Sequence, residues 1–487
     1  MVFSSPVFLF LFLPFTLAVY ALLRSVFWRN LFLVAVSLFF YAWGEKVFVL
    51  IMIASTVINY ILGRILNHYQ DRERPSAAKW TVAAAVLVNM GLLGFFKYQD
   101  FFAVNINYLA AFFTEERVPE LHLHLPIGIS FFTFHAMSYI MDVYRKNTRA
   151  AKNFFEAALY ISFFPQLIAG PIVRYKEIAA QISNRTRTMA DTASGVERFI
   201  IGLGKKMILA NTFGETADVI FGIPSEQLTQ GLAILGITLY TLQIYFDFSG
   251  YSDMAIGLAK MFGFTFPENF NYPYVSQSVK EFWRRWHITL SNWFRDYLYI
   301  PMGGNRGATG RMYFNLFTVF FLCGLWHGAS WNFVIWGMIH GLALVLERLG
   351  AEKMMEKWPR ALRHIYLLSV VTVAWVFFRS DSLGHSVKFI LAMAGYASGD
   401  GGEYNAGLYL DRKLTWLMIA GLVAATPVWP NFTGWWGGVK NRWEGSRGAL
   451  AEAAFSLANV GWLVVVLAMS VMFMASVSYN PFIYFRF

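Results

Sequence analysis

Long apolar runs return along the whole chain, and they constrain the fold more than any other feature. Pro6 to Leu23 comes first; others lie near 31–43, 47–62, 80–96, 126–144, 199–222, 229–248, 313–326, 330–346, 363–378, 413–428 and 455–476. In hydrocarbon every backbone polar group needs an internal partner, so such runs become helices. A crossing takes about 20 residues, and several runs are shorter. The pattern therefore predicts an all-α polytopic membrane protein with about eleven crossings plus re-entrant and interfacial helices. The first run has no basic residue before it and no convincing cleavage site after it, so it reads as a retained span. No repeat or linker divides the chain, and residues 1–487 read as one integral-membrane domain.

Composition agrees: 14% of the residues are charged, against about 25% in soluble proteins. Mean hydropathy is +0.46. Disorder, a coiled coil and a soluble secreted scaffold are excluded. The net charge of +11 does not require a nucleic-acid partner, because basic residues flank the runs. Arg24 and Arg29, then Arg64, Arg72, Arg74 and Lys79, then Arg145, Lys146, Arg149 and Lys152 recur two crossings apart. The positive-inside rule makes their shared face cytoplasmic and the N-terminus external. Arg174, Lys176, Arg185 and Arg187 follow the run 154–170 and demand the same face, which a re-entrant segment through Pro165 and Pro171 satisfies. Cys323 is the single cysteine, so no intrachain disulfide forms, and the histidine spacings match no metal motif.

Polar groups inside apolar runs are functional candidates. Asp247 and Asp253 close one run; they either cap a helix end or converge on a polar site if Gly250 breaks the helix. From Val279 to Leu298, Phe282, Trp283, Trp286, Trp293 and Tyr297 recur at spacings of three and four. Lys280, Arg284, Arg285 and Arg295 lie on the opposite side, as in a basic interfacial helix, with His287 at the edge of the apolar face. Trp326, His327 and Asn332 fall in a glycine-containing break between two runs. His327 reads either as a satisfied core residue or as a general base, and the glycines around it clear volume for an approaching molecule.

The stretches Leu125 to Phe131, Phe164 to Pro171, Asp247 to Asp253, Glu281 to Pro301 and Leu325 to Asn332 resemble the membrane-bound O-acyltransferase (MBOAT) family. The similarity extends from Met1–Ser5 to Tyr479–Phe482 and is closest to the branch that O-acetylates alginate and other bacterial polysaccharides. That resemblance implies His327 as the catalytic histidine and His287 as the second characteristic position. It also implies a ring of helices around a thin central funnel in a bacterial inner membrane. The activity implied is transfer of an acetyl group from acetyl-CoA, or an acyl carrier, to an exported polysaccharide through a periplasmic Ser-His-Asp partner enzyme. Arg284, Arg285, Arg295 and Arg306 are candidate phosphate contacts for the donor, and Asp247, Asp253, Trp326 and Asn332 are candidate orienting residues. Acetylation of cellulose or peptidoglycan, transfer of D-alanine, and a solute or ion transporter are the alternatives.

Overall fold

The computed structural model describes residues 1–397, 399, 401–440, 446–476 and 479–480. Pro481 and Phe482, which end the matching stretch, lie outside the described residues. No strand occurs among the described residues, and six helical runs are long and apolar enough to cross a membrane. They are Val26–Asp71, Pro75–Ala110, Gln230–Met261, Trp331–Met355, Arg360–Arg379 and Gly448–Ser476. The first is bent at Lys46, whose φ of 48° ends Val26–Glu45 before Val49–Asp71 begins. Ile129–Tyr144, 16 residues long, is almost wholly buried in the protein body, whereas Thr309–His327 buries mainly its last turns around Cys323, Trp326 and His327.

Gln230–Met261 is the central helix. Its most apolar window is 78% buried, against 11% for Gly448–Ser476, so protein surrounds the one and lipid the other. The central helix runs unbroken through Gly250, so Asp247 and Asp253 neither cap a helix end nor converge across a break. Gly250 serves a close crossing instead: a Cβ there would lie 2.8 Å from the Gly202 carbonyl oxygen, and one on Gly195 2.7 Å from that of Gly257. These glycine pairs let Met189–Gly204 pack antiparallel against the central helix with backbones nearly touching.

Thr309–His327 and Trp331–Leu346 form a second tight hairpin. A Cβ on Gly324 or Gly337 would run into the carbonyl oxygen of Phe333 or Phe320, and one on Gly328 into the Phe333 ring. The glycines near His327 thus admit the neighbouring helix and do not clear a path for a ligand, as the sequence had suggested.

The expected interfacial helix is also different. Val279–Arg285 and Ile288–Phe294 are separate, broken at His287, and their aromatic stripe is buried in the protein core. Periodicity in this region reported burial against protein, not against lipid.

Over residues 154–176 the chain doubles back, as a re-entrant segment would. Phe154–Ser162 spans about 14 Å at 1.5 Å per residue, less than half of a hydrocarbon core. The chain then returns, because Lys176 N donates to Asp142 Oδ2 (2.9 Å), beside the loop that precedes the segment. Gln70 donates to the Val143 and Tyr144 carbonyls, and Arg185 to Asn30. These bonds gather the basic clusters at one end of the molecule. At the other end His124 Nε2 meets Glu45 Oε2 (3.0 Å), and Met1 lies against Gly44.

Candidate active site

His327 is the last residue of its helix and is 4% exposed. Its ring stands edge-on to Trp336 (centroids 4.8 Å) and Phe378 (5.2 Å) and lies 4.9 Å from Trp326. Trp326 stacks on Phe134 (5.1 Å), which stacks on Trp293 (3.8 Å). On another side of Trp326, at 6.3 Å, is the His287 ring. Two imidazoles from distant chain segments therefore border one indole. Phe248, which meets His287 edge-on at 4.6 Å, is about 20 Å from the Met261 end of the central helix, so this pair is deep in the body.

His287 is fully buried and adopts the left-handed conformation, φ 42° and ψ 53°. Its Nδ1 lies 3.1 Å from Asn269 Oδ1, and its Nε2 has no hydrogen-bond partner among the described residues. Asn269 Oδ1 also accepts from Thr289 N (3.3 Å) and Thr289 Oγ1 (2.8 Å), while Asn269 Nδ2 donates to Ser252 Oγ (3.0 Å). Thr289 Oγ1 in turn accepts from Ile172 N (2.9 Å).

The end of the His327 helix leaves carbonyls without intrahelical partners. Lys97 Nζ donates to the carbonyls of Trp326 (2.5 Å) and His327 (3.2 Å), and to Ser130 Oγ (3.3 Å). Tyr98 donates to the Leu325 carbonyl (2.8 Å). A third buried histidine, His340, accepts at Nδ1 from Trp283 Nε1 (3.3 Å) and lies 5.1 Å from Trp336.

The remaining sequence candidates lie elsewhere. Asp247 pairs with Lys206 (2.6 Å), both under 5% exposed. Asp253 pairs with Lys205 (2.6 Å) and Arg198 (2.7 Å). The two carboxylates do not converge. Asn332 donates to the Ser380 carbonyl (2.6 Å) and closes the end of Arg360–Arg379. Arg285 is held by Glu281, and Arg295 by Asp296, whereas Arg284 and Arg306 are exposed. Burial opposes ionisation of Asp296, yet Arg295, Arg174 and Lys176 hold its carboxyl below the usual range. No group of three metal-ligating side chains occurs among the described residues.

Four of the five stretches singled out in the sequence meet here, through Ser130 and Phe131, Phe248 and Ser252, His287 and Thr289, and Trp326 and His327; Ile172, the residue after the fifth, joins them through Thr289. The profile of the membrane-bound O-acyltransferase family matches residues 76–393, which contain all of them. The chain belongs to the membrane-bound O-acyltransferase family. It is 41% identical to a probable alginate O-acetylase of Azotobacter vinelandii over the full length of both chains. It is 44% identical to one of Pseudomonas aeruginosa over 87% of this chain and 81% of that one. A peptidoglycan O-acetyltransferase of Helicobacter pylori is 38% identical over 81% of this chain and 80% of its own. The protein is thus a multi-pass membrane-bound O-acyltransferase. Asn269, Thr289, Lys97 and Tyr98, which organise the surroundings of its two central histidines, escaped sequence reasoning. The available signal was Lys97, an ionisable residue directly after the apolar run 80–96, which the structure places inside the helical span Pro75–Ala110.

Proposed function

We propose that this O-acyltransferase takes an acetyl group from a cytoplasmic thioester, acetyl-CoA, and delivers it across the bacterial inner membrane for O-acetylation of an exported polysaccharide, alginate. The observation that carries the reading is the pair of deep histidines bordering Trp326, since acyl transfer to a hydroxyl requires a buried base beside a positioned carbonyl. His327 takes the proton as the hydroxyl oxygen attacks the thioester carbon; the C–S bond breaks and the thiol leaves protonated. His287 forms the other wall of the site. Exposed Arg284 and Arg306 supply phosphate contacts for the donor. A periplasmic Ser-His-Asp enzyme then esterifies the polymer. The alginate O-acetylases among the relatives support this acceptor, and the Helicobacter pylori relative makes peptidoglycan the second reading.

The test is release of free CoA from acetyl-CoA by the purified protein in lipid, with alginate or peptidoglycan and a periplasmic partner present. His327→Ala is expected to lower the rate by about 10²- to 10⁴-fold with folding retained. A wild-type rate in that variant would remove His327 from the mechanism, and no CoA release under any condition would exclude acetyl-CoA as the donor.

A further inference from the structure

We propose that Asn269 is a positioning residue that holds His287 as the Nδ1–H tautomer, so that Nε2 accepts a hydrogen bond from an O–H or S–H of a reactant. The inference rests on the site reading above. It deepens that reading by giving His287 an acceptor role and excluding, for the neutral ring, a donor role towards the acyl oxygen.

The hydrogen-bond geometry decides the tautomer. Thr289 N can only donate, and the Asn269 atom it faces is therefore the amide oxygen, not the nitrogen. The Thr289 hydroxyl faces the same oxygen, and the amide nitrogen is occupied by Ser252. His287 Nδ1, 3.1 Å from that oxygen, must then carry the proton. In a neutral imidazole this leaves Nε2 as a lone-pair acceptor, and no described residue donates to it. A buried acceptor without a partner is rare enough in native proteins to need a reason.

The backbone holds both residues in place. Ile288 N donates to the Asn269 carbonyl (3.0 Å) and Asn271 N to the Arg285 carbonyl (2.9 Å), so the two loops are clamped on both sides of the histidine. Among the described residues six non-glycine residues have positive φ, and the other five lie at exposed or half-buried positions; His287 is fully buried. Strain of this kind persists where the surroundings over-determine it, and it clusters at functional sites.

The partner is an amide, not a carboxylate, and this sets the charge. On the central helix, Asp247 and Asp253 turn to Lys206 and Lys205, away from Ser252. Across Trp326 the titratable neighbour is His327, which itself faces Lys97 and His340. An uncharged partner orients the ring without drawing a proton onto it.

Two measurements test the inference. In ¹⁵N-histidine-labelled protein in nanodiscs, the signals lost in His287→Ala should show a protonated Nδ1 and an unprotonated Nε2; the opposite assignment would overturn the proposal. Asn269→Asp keeps the size and the bonds from Thr289 but puts a negative charge on Nδ1–H. The acid limb of its pH–rate profile is expected to rise by about one pH unit or more. Asn269→Leu, which removes the lock, is expected to lose about 10- to 100-fold in kcat with little change in KM. Unchanged pH profiles in these variants, with His287→Ala inactive, would defeat the Asn269 role alone. Full activity in His287→Ala would instead defeat the site reading.

Discussion

Lys97 shows how a residue without a catalytic role of its own can determine the geometry of a reacting one. It grips the last two carbonyls of the helix that ends at His327, and Tyr98 grips the carbonyl before them. Hydrogen bonds of this kind contribute about 0.5–1.5 kcal/mol each. Lys97→Met should therefore release the end of the helix and lower acetyl transfer by about 10- to 100-fold, because a displacement of about 1 Å is costly in a positioned site. Tyr98→Phe, which leaves one carbonyl without a donor, should cause a smaller loss. Turnover in lipid beside size-exclusion behaviour checks both; a wild-type rate for Lys97→Met would make the grip irrelevant to catalysis. Residues were unequally legible in the sequence. His327 stood out because an imidazole set between two apolar runs, among Trp and Leu, is costly. Asn269 did not, because Asn-Phe-Asn-Tyr-Pro reads as a turn, and its meaning comes from Thr289 and Ser252, 20 and 17 residues away. Asp247 and Asp253 stood out as clearly as His327, yet each is neutralised by a lysine of one neighbouring segment, which spacing along a single helix cannot show.

At the scale of elements, hydropathy located the apolar helices but misjudged what covers them. The aromatic stripe of Val279–Leu298 has the same period whether its partner is lipid or protein, and the break at His287 depends on a backbone angle that no local residue announces. Gly250 is the clearest case. A glycine in a long helix reads as a weak point, whereas here it is a contact surface for Gly202. The two readings predict opposite results. If Gly250 were a flexible point, alanine would stabilise the helix by up to about 1 kcal/mol. As a contact, Gly250→Ala pushes a methyl group against the Gly202 carbonyl and Lys205 Cβ and should destabilise by about 1–3 kcal/mol. Gly91→Ala is the internal control, since a Cβ there meets nothing within 4 Å, and it should be neutral or mildly stabilising. Thermal unfolding of both variants in one detergent measures the difference, and equal behaviour would argue against the close crossing.

At the scale of the whole molecule, the positive charges and the hydropathy runs were in conflict over residues 154–170, and the conflict itself was informative. Counting that run as a crossing puts Arg149 and Arg187 on opposite faces; the nine-residue helix Phe154–Ser162 and the return to Asp142 put them on the same one. The single cysteine makes this measurable, because Cys323 is 3% exposed and contributes little background. Cysteines placed singly at the exposed positions Arg72, Arg149 and Asn184 should resist a membrane-impermeant maleimide in intact cells and react after lysis. One at Glu116, exposed in the loop before His124 at the other end, should react without lysis. Reaction of all four with sides exchanged would keep the architecture but invert its orientation, and with it the side from which acetyl-CoA reaches His327. Different sidedness for Arg149 and Asn184 would mean that 154–170 crosses the membrane. The hydrogen bonds that bring Ile172 to Thr289, and so the re-entrant turn to the Asn269 and His287 pair, make that outcome incompatible with the site as it is built.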